Sequence, residues 1–462
     1  MNRVEGLGPL VAAWLPNQRW FGGKGREIAD ISVHAVANVP GTEPPVTIWI
    51  AQVDYADGTQ ERYQVPLLVR ATPVDSLEHV LLGTVDLPPD HRPGLWVYDA
   101  LHDKDVTAAW LLGIRDETKT DQLRFTRLAD ADTIPVDEPS LVITGEQSNT
   151  SLMYGDVAIM KVFRRLQPGV NPDIEVQAAL SGLGARHIAR LLGTIETDID
   201  GVPASLAMLQ EYMTTATDGW ELAKASVRDL MAEADLHAEE AGGDFAAEAE
   251  RLGEAVATVH ADLGTAFGVR EASSAELHAR AGAMSERLRR ALEVVPQLAD
   301  VADALSAAYA SVGELTEAVP VQRIHGDLHL GQALRTVTRW VLIDFEGEPM
   351  SSMEERRAFD SPLRDVAGML RSFEYAGHHR VIETGYDPQL TYRAAEWSNR
   401  NRDAFCTGYA QASGHDPYAQ DVLLRAFEAD KAVYEAVYEA RNRPAWLPIP
   451  LSSLTRLAEG AA

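Results

Sequence analysis

The chain has 462 residues, which is more than one simple hydrophobic core holds, so we predict two or three structural units. Its 41 basic and 69 acidic residues give a formal net charge of −28, which argues against nucleic acid and anionic membranes as partners. The single cysteine, Cys406, excludes an intrachain disulfide and a cluster of thiolate zinc ligands.

The sequence carries no recognisable targeting or membrane signal. Its first residues lack the basic and apolar regions of a secretion signal, and its longest apolar runs are too short to cross a bilayer. We therefore expect a cytoplasmic protein that is a monomer or a weak homodimer.

The first hundred residues read mostly as β-strands. β-Branched and aromatic residues predict strands over 31–39, 46–55 and 62–71. The turn signal Ala56-Asp57-Gly58-Thr59 joins the second and third of these strands into a hairpin. A short helix is predicted over 102–115.

After residue 139 the pattern changes to short strands around one capped helix. Strands are predicted over 140–144, 150–154, 157–163 and 205–211. A helix over 172–182 opens on Asn171-Pro172-Asp173, a cap followed by proline in the first turn. Beyond Thr217 the chain becomes helical, with an apolar stripe at Leu252, Val256, Val259 and Leu263 and a last long helix over 419–442.

One loop concentrates the residues that carry chemistry. Ile324-His325-Gly326-Asp327-Leu328-His329-Leu330-Gly331-Gln332 is followed, after an apolar strand, by Asp344-Phe345-Glu346-Gly347-Glu348. Asp327 is the candidate base that accepts or orients the proton of an attacking hydroxyl group. Gln332 and Asp344 are candidate ligands of Mg²⁺, because hard cations take oxygen ligands. This set predicts transfer of a phosphoryl group from a nucleotide to an alcohol.

The upstream part of the chain supplies candidate nucleotide-binding residues. Lys161 lies in an apolar strand and needs an anionic partner, which Glu175 on the following helix can provide together with nucleotide phosphates. Small polar residues in the turn 145–151 can present backbone N–H groups to phosphate oxygens. The predicted nucleotide contacts are Lys161, Glu175, Ser148, Asn149 and Thr150, with Gln210, Glu211, Tyr212 and Met213 as an adenine-binding hinge.

Taken in this order, these residues resemble the protein-kinase-like superfamily, in particular its aminoglycoside phosphotransferase branch. The loop of that branch usually reads His-Gly-Asp, four residues and Asn. Gln332 takes the Asn position here, and in this respect the loop resembles that of the bacterial maltokinases. The resemblance extends over nearly the whole chain and is densest at 14–26, 161–175, 360–373 and 431–446.

The resemblance implies a mixed α/β (α+β) fold of the bilobal protein-kinase-like type. A β-rich cap subdomain is expected over 1–100, a small ATP-binding lobe over 101–213 and a large helical C-lobe over 214–462. The resemblance also implies ATP and Mg²⁺ as cofactors and a small-molecule sugar as substrate, most simply maltose, phosphorylated to maltose 1-phosphate. Actinobacterial glucosamine kinases are similar, so phosphorylation of glucosamine to glucosamine 6-phosphate stays open. An aminoglycoside phosphotransferase and a non-catalytic nucleotide-binding scaffold also stay open.

Charged and aromatic side chains at helical spacing predict the acceptor site along the last long helix. Residues at i, i+4 and i+8 share one face of a helix, and two tyrosines form the adjacent stripe. The predicted sugar contacts are Asp327, His329, Lys431, Tyr434, Glu435, Tyr438, Glu439, Arg443 and Trp446. The alternative is that Lys431 and Glu435 form an ordinary ion pair and that the tyrosines pack in the core.

Two further residues are expected to support the catalytic loop. Arg364 and Asp365 are placed to brace it, and Asp365 is also predicted to be the N-cap of the helix that carries Val366 and Met369. Cys406 is expected to be a buried small apolar residue.

Overall fold

The computed structural model describes residues 6–43, 45–85, 94–143, 148–232, 237–240, 244–348, 351–383, 385 and 387–460. The chain forms two compact units. The first comprises residues 1–178 and 189–214, and the second comprises residues 179–188 and 215–462. Antiparallel sheets dominate the first unit and helices the second, which confirms the predicted fold class.

The first unit begins with a helix and a sheet of antiparallel strands. The sheet has the order β1-β2-β3-β5-β4, with the short β10 added beside β3. Its elements are α1 (Leu7–Trp14), β1 (Ile28–Asn38), β2 (Thr47–Tyr55), β3 (Gln60–Arg70), β4 (Leu81–Val85), β5 (Leu95–Asp99) and, further along the chain, β10 (Arg165–Leu166).

A second antiparallel sheet completes the first unit, in the order β6-β11-β12-β9-β8-β7. Its strands are β6 (Leu123–Arg127), β7 (Ser140–Ile143), β8 (Thr150–Tyr154), β9 (Ala158–Val162), β11 (Leu191–Ile199) and β12 (Val202–Glu211). Helix α2 (Lys104–Arg115) precedes this sheet in the chain, and α3 (Pro172–Gly182) lies between β10 and β11. Asp103 caps α2 by accepting from the N–H groups of Asp105 and Val106.

Buried polar groups connect the two sheets of the first unit. Gln64 of β3 donates through Nε2 to the carbonyl oxygens of Phe163 at 2.9 Å and Leu206 at 3.0 Å. Arg164, 1% exposed, pairs with Asp99 at 2.5 Å. Because unpaired buried polar groups are costly, these bonds specify how the two sheets pack.

The second unit is built from helices with short strands between them. Its helices are α4 (Gly219–Ala232), α5 (Ala246–Phe267), α6 (Ser274–Val294), α7 (Ala302–Gly313), α8 (Met353–Arg357), α9 (Leu363–Glu383), α10 (Pro388–Ser413), α11 (Asp421–Asn442) and α12 (Pro448–Glu459). Its strands are β13 (Thr217–Asp218), β14 (Val269–Glu271), β15 (Pro320–Gln322), β16 (Ala333–Arg335) and β17 (Trp340–Leu342). The chain also contains 3₁₀ helices at Leu15–Asn17, Asp75–Val80, Ala100–His102, Ala131–Thr133, Pro296–Asp300, Leu330–Gln332, Pro417–Gln420 and Pro444–Trp446.

Helices α5 and α10 approach each other closely at two glycines. A Cβ atom on Gly253 would lie 2.1 Å from the carbonyl oxygen of Phe405, and one on Gly408 would lie 1.9 Å from that of Glu250. Backbone atoms block both positions, so only glycine allows this helix pair to pack as it does.

Most predicted elements are confirmed, with shifted ends. The apolar stripe lies on α5, and its four residues are at most 1% exposed. The predicted cap role of Asp365 is wrong, because α9 already begins at Leu363 and Asp365 lies in its first turn. Strands β4, β5, β6, β10, β11, β13, β14, β15 and β16 were not predicted. The turn residues Gly145, Glu146 and Gln147 lie outside the described residues.

Among the residues that the structure describes, no helix is long and apolar enough to span a bilayer.

Candidate active site

A buried carboxylate of α9 anchors the loop that carries Asp327. Asp365 accepts hydrogen bonds from the backbone N–H of His325 at 2.7 Å and from that of Gly326 at 2.9 Å. Gly326 has a φ of 86°, in the left-handed region that glycine adopts without strain. One side chain therefore fixes the backbone immediately before Asp327, which confirms the predicted bracing by Asp365.

The charge of Asp365 depends on its partners, because the residue is 1% exposed. Burial alone would raise its pKa, but the hydrogen bond with His260 Nε2 at 3.1 Å and the loop N–H groups bring the pKa below its ordinary value. Asp365 is thus ionised at neutral pH and binds the loop as a charged acceptor, which strengthens both backbone hydrogen bonds.

His325 connects this loop to the segment that carries Asp344. Its Nε2 lies 2.9 Å from the carbonyl oxygen of Ile343, so this nitrogen carries the proton of the bond. The imidazole ring also packs on Phe345, with ring centroids 4.8 Å apart. His325 therefore acts as a support between two loop segments, and this explains its place beside Asp327 in the sequence.

Asp327 is paired with a lysine from α11. Lys431 Nζ donates to Asp327 Oδ1 at 3.0 Å, and the two side chains are 28% and 22% exposed. Burial would raise the pKa of Asp327, but the charge and hydrogen bond of Lys431, together with the charges of His329 and His325, outweigh burial and lower the pKa. Lys431 therefore keeps the Asp327 carboxylate ionised and able to accept a proton or a hydrogen bond.

Gln332 and Asp344 meet beside this loop. The N–H of Ile343 donates to the carbonyl oxygen of Gln332 at 3.0 Å, and Gln332 Nε2 donates to Asp344 Oδ2 at 3.1 Å. Asp344 has a φ of 67°, a conformation that is uncommon for a residue other than glycine and that concentrates at functional sites. The backbone thus directs an amide and a carboxylate to the same place, as a shared hard cation requires.

Asp327 lines a cavity of about 40 Å³ in which acidic and basic groups are paired. Glu348 lies 3.6 Å from Lys431 and 3.5 Å from Arg364. Asp430 pairs with Arg287 of α6 at 2.7 Å. The lining residues are Arg287, Gly326, Asp327, Leu328, Glu348, Arg364, Asp365, Gly368, Phe427, Asp430, Lys431 and Tyr434.

A larger cavity of about 380 Å³ adjoins the first and shares part of its lining. Gly326, Glu348, Arg364, Phe427 and Asp430 are among the residues that line both. The larger cavity adds residues from α6, α8 and the segment before α9, including the ring of Phe359. The space near Asp327 therefore continues into a groove with charged and aromatic walls.

The predicted nucleotide contacts of the first unit have mixed surroundings. Lys161, 8% exposed, pairs with Asp173 at 3.1 Å, a partner that the sequence analysis did not single out. The pairing of Lys161 with Glu175 stays a prediction. The hydroxyl of Thr150 accepts from Arg164 Nε at 2.8 Å, so this side chain has a structural role within the core. Asn149 is 8% exposed and donates to the exposed Ser148 at 3.3 Å.

The predicted hinge Gln210–Met213 lies at the end of β12. Gln210 and Glu211 pair with β9, and the N–H of Tyr212 donates to the carbonyl oxygen of Val157 at 2.9 Å. Among the described residues no hydrogen-bond partner is recorded for the buried Gln210 Oε1. The role of this segment in binding adenine stays a prediction.

Comparisons with known proteins identify the relatives of this chain. The sequence model of the maltokinase N-terminal cap domain matches residues 14–103. A glucosamine kinase of Streptacidiphilus jiangxiensis is 31% identical over 332 residues, which are 68% of this chain and 74% of the relative.

The chain belongs to the family of maltokinase-like and glucosamine kinases. It is therefore a sugar phosphotransferase. A second relative in this family, the glucosamine kinase of Mycolicibacterium smegmatis, is 31% identical over 333 residues, which are 69% of this chain and 79% of the relative.

Solved glucosamine kinase structures share the fold of this kinase. One, in complex with glucosamine, ADP and inorganic phosphate, has a TM-score of 0.68 and 24% identity, and covers 98% of this chain and 100% of its own. Another crystal form has a TM-score of 0.70 at the same identity, covering 98% of this chain and 99% of its own.

The kinase brings only part of the predicted acceptor site to Asp327. Lys431 and Tyr434 line its cavity. Glu435 instead pairs with Arg371 of α9 at 2.6 Å.

The remaining predicted sugar contacts have other partners. Glu439 is 1% exposed, pairs with Arg443 and accepts a hydrogen bond from the Tyr375 hydroxyl at 3.3 Å. The Trp446 ring stacks on that of Tyr375, with ring centroids 6.1 Å apart, and Tyr438 is 45% exposed. His329 accepts from the N–H of Gly331 at 3.1 Å. Sugar contacts by these residues stay predictions.

Three charged residues of the cavity were missed from the sequence. Asp430 directly precedes Lys431 but pairs with Arg287, which comes from a helix with no motif. Glu348 belongs to the quoted Asp344–Glu348 motif and could have been found there. The other two required knowledge of which helices pack together.

Proposed function

We propose that this kinase transfers the γ-phosphoryl group of ATP to the anomeric hydroxyl of maltose, forming maltose 1-phosphate. The observation that carries the choice of a neutral sugar is the charge pairing around Asp327. Each lining carboxylate has a described partner: Lys431 for Asp327, Lys431 and Arg364 for Glu348, Arg287 for Asp430, and His260 with the loop N–H groups for Asp365. An ammonium group would add a further positive charge beside Lys431, Arg364 and Arg287, whereas sugar hydroxyls add none and can share the paired groups.

The adjoining groove supports a substrate longer than one sugar ring. It adds about 380 Å³ to the small cavity at Asp327. Its paired arginines and carboxylates can exchange hydrogen bonds with hydroxyl groups, and the rings of Phe359 and Phe427 can cover the C–H faces of a pyranose. A disaccharide would use both spaces, with its reducing end at Asp327 and its second glucosyl unit in the groove.

In the proposed reaction Asp327 accepts the hydrogen bond of the attacking anomeric hydroxyl. The proton moves to the Asp327 carboxylate as the oxygen–phosphorus bond forms and the bond to the leaving ADP oxygen breaks. Lys431 favours the ionised form of Asp327 beforehand. Asp365, bound to the backbone of His325 and Gly326, limits the positions that the carboxylate can take, and such positioning is a large part of phosphoryl-transfer catalysis.

The proposed cofactors are ATP and Mg²⁺. Gln332 and Asp344 fit a hard divalent cation, since amide and carboxylate oxygens are suitable ligands. The two side chains are neighbours, with Gln332 Nε2 donating to Asp344 at 3.1 Å, and the Gln332 amide would turn its oxygen towards a bound cation. When bound, Mg²⁺ would neutralise charge on the nucleotide phosphates. Lys161 is proposed to pair with a phosphate, because it is a nearly buried ammonium held by Asp173. ADP in a solved structure of a glucosamine kinase supports an adenine nucleotide as donor.

Phosphorylation of glucosamine is the second candidate. It is favoured by the two curated relatives, both glucosamine kinases at 31% identity. The match of the maltokinase cap domain and Gln332 in the loop favour maltose instead.

Initial rates with ATP and maltose, glucose, glucosamine or kanamycin separate these candidates. We expect kcat/KM for maltose to exceed that for glucosamine at least about tenfold, equivalent to about 1.4 kcal/mol. Phosphorus NMR of the product should place the phosphate on the anomeric carbon. A preference for glucosamine, or phosphate at carbon 6, would overturn the proposal in favour of the second candidate.

The role of Asp327 is tested by Asp327→Asn, which keeps the shape and removes the proton acceptor. Turnover should fall by at least ~10²-fold, the lower end for a positioned acid–base group. The exposed Asp300→Asn is the matched control and should keep the wild-type rate. Near-wild-type turnover of a folded Asp327→Asn variant would contradict the assignment.

A further inference from the structure

A separate cavity of about 340 Å³ lies in the second unit at α9, α10 and α12. Its volume is within the range of small-molecule sites. It shares no lining residue with the cavity at Asp327 or with the adjoining groove. The proposed phosphoryl transfer makes no use of it.

One wall of this cavity is apolar. Val381, 1% exposed, and Ile382 contribute from α9, and Pro448 and Ile449 contribute from the start of α12. Such a wall suits a hydrocarbon body, because removing apolar surface from water is favourable.

The cavity is also lined by the guanidinium group of Arg456, which shares its counter-ion with two other arginines. Glu374 accepts hydrogen bonds from Arg371, Arg402 and Arg456, so one carboxylate serves three arginines. Arg371 and Arg402 have second partners in Glu435 and Glu428, both at 2.6 Å. Within the described part of the chain, Glu374 is the sole carboxylate recorded with Arg456. Burial and then repulsion by Arg371 lower the pKa of Arg456, in keeping with a cation that lacks full compensation.

Arg456 is also accessible to a ligand, because 47% of its side chain is exposed. Neighbouring His378 adds no competing charge, since burial lowers its pKa to about 4. Its Nδ1 lies 2.9 Å from the carbonyl oxygen of Glu374 and must carry the proton, which leaves Nε2 as an acceptor. The cavity thus combines an apolar wall, one undercompensated cation and a neutral acceptor.

We propose that this cavity binds a small organic carboxylate, with the carboxylate on Arg456 and the hydrocarbon body along Val381, Ile382, Pro448 and Ile449. A guanidinium group matches a carboxylate in geometry and charge. Hexanoate represents this ligand class, and hexanamide is its uncharged counterpart of nearly equal shape.

Binding of the two probes to the full-length kinase can be measured by isothermal titration calorimetry. Hexanoate should bind saturably at one site, and hexanamide at least about tenfold more weakly, because it cannot form the charge-assisted bonds. Equal affinity of the two probes, or no saturable binding of hexanoate, would overturn the proposal.

Two variants locate the site. Arg456→Gln should weaken hexanoate to the level of hexanamide, and Ala395→Trp should fill the cavity and remove binding of both. Arg290→Gln, on the exposed face of α6, removes the same charge away from the cavity and should change nothing. All three should keep the wild-type sugar kinase rate, which reports a correct fold.

If Ala395→Trp fails to fold, Ser452→Trp at the exposed rim of the cavity replaces it. Hexanoate binding that survives the filled cavity, or that is unaffected by Arg456→Gln, would refute this location.

Discussion

Replacement of Lys431 by Met should move the pH dependence of this kinase in a defined direction. The Lys431 ammonium donates to Asp327 at 3.0 Å, with both side chains less than one third exposed. Without it, only His329 and His325 oppose the effect of burial on Asp327, and the pKa of Asp327 rises. A hydrogen bond to a charged group contributes about 1.5 to 3 kcal/mol, which corresponds to about 1 to 2 pKa units.

In the proposed reaction Asp327 acts as an ionised acceptor, so a raised pKa means that activity is lost at a higher pH. We expect the acid limb of kcat/KM for the sugar, measured at saturating ATP, to shift upward by about 1 to 2 pH units in Lys431→Met. Lys431→Arg keeps the charge and should keep the limb near its original position. Arg441→Gln removes one positive charge from an exposed position of the same helix and is the matched control. An unshifted limb in Lys431→Met, or an equal shift in Arg441→Gln, would refute this reasoning.

Three further predictions follow from burial and packing. The folded-state pKa of Asp365 lies below its unfolded-state pKa of about 3.9. The ionised Asp365 therefore stabilises the fold at pH values above about 3.9, and this contribution is lost as the pH falls through the folded-state pKa. Asp365→Asn should flatten the acid side of the stability–pH curve measured by urea unfolding, and an unchanged slope would contradict this. Gly408→Ala should lower the melting temperature, because the new Cβ atom would collide with the carbonyl oxygen of Glu250. Gly282→Ala is the control in open space, and it should raise the free energy of unfolding by up to about 1 kcal/mol. Burial raises the pKa of Cys406 to about 12, so a thiol reagent at pH 8 should label Cys406 only after the chain has unfolded. Rapid labelling of the native protein would contradict the burial of Cys406.

The proposed catalytic loop could be recognised in the sequence because the chemistry proposed for it rests on residue types at short spacing. Asp327, Gln332 and Asp344 lie within one segment, and an apolar strand between them sets their separation. The bracing role of Asp365 was also predicted, but its position as a helix cap was wrong. Ser361 precedes the helix and accepts from the N–H of Leu363 at 3.3 Å, so Asp365 is already inside the first turn.

The acceptor helix shows what the sequence could not specify. Helical spacing correctly put Lys431, Glu435 and Glu439 on one side of α11. It did not reveal that Arg371, 64 residues away in sequence from Glu435, would pair with that carboxylate. Partners so distant in sequence depend on tertiary packing, which a periodic pattern does not encode.

Strand β11 was missed for a different reason. Its first half, Leu191 to Ile195, is completely buried and contains Gly193, so it shows no alternation of polar and apolar residues. Alternation appears only from Ile195 to Ile199, which is too short a stretch to reveal the whole strand.

The pairing of Asp327 with Lys431 has a consequence for how the enzyme is made. The two residues are 104 positions apart, so a ribosome adding about 5 to 20 residues each second completes Lys431 about 5 to 20 s after Asp327. During that interval the nascent chain carries the candidate base Asp327 without the Lys431 ammonium group that lowers its pKa. Full catalytic competence is therefore acquired only after α11 has been synthesised and has folded, which delays nucleotide turnover by unfinished chains.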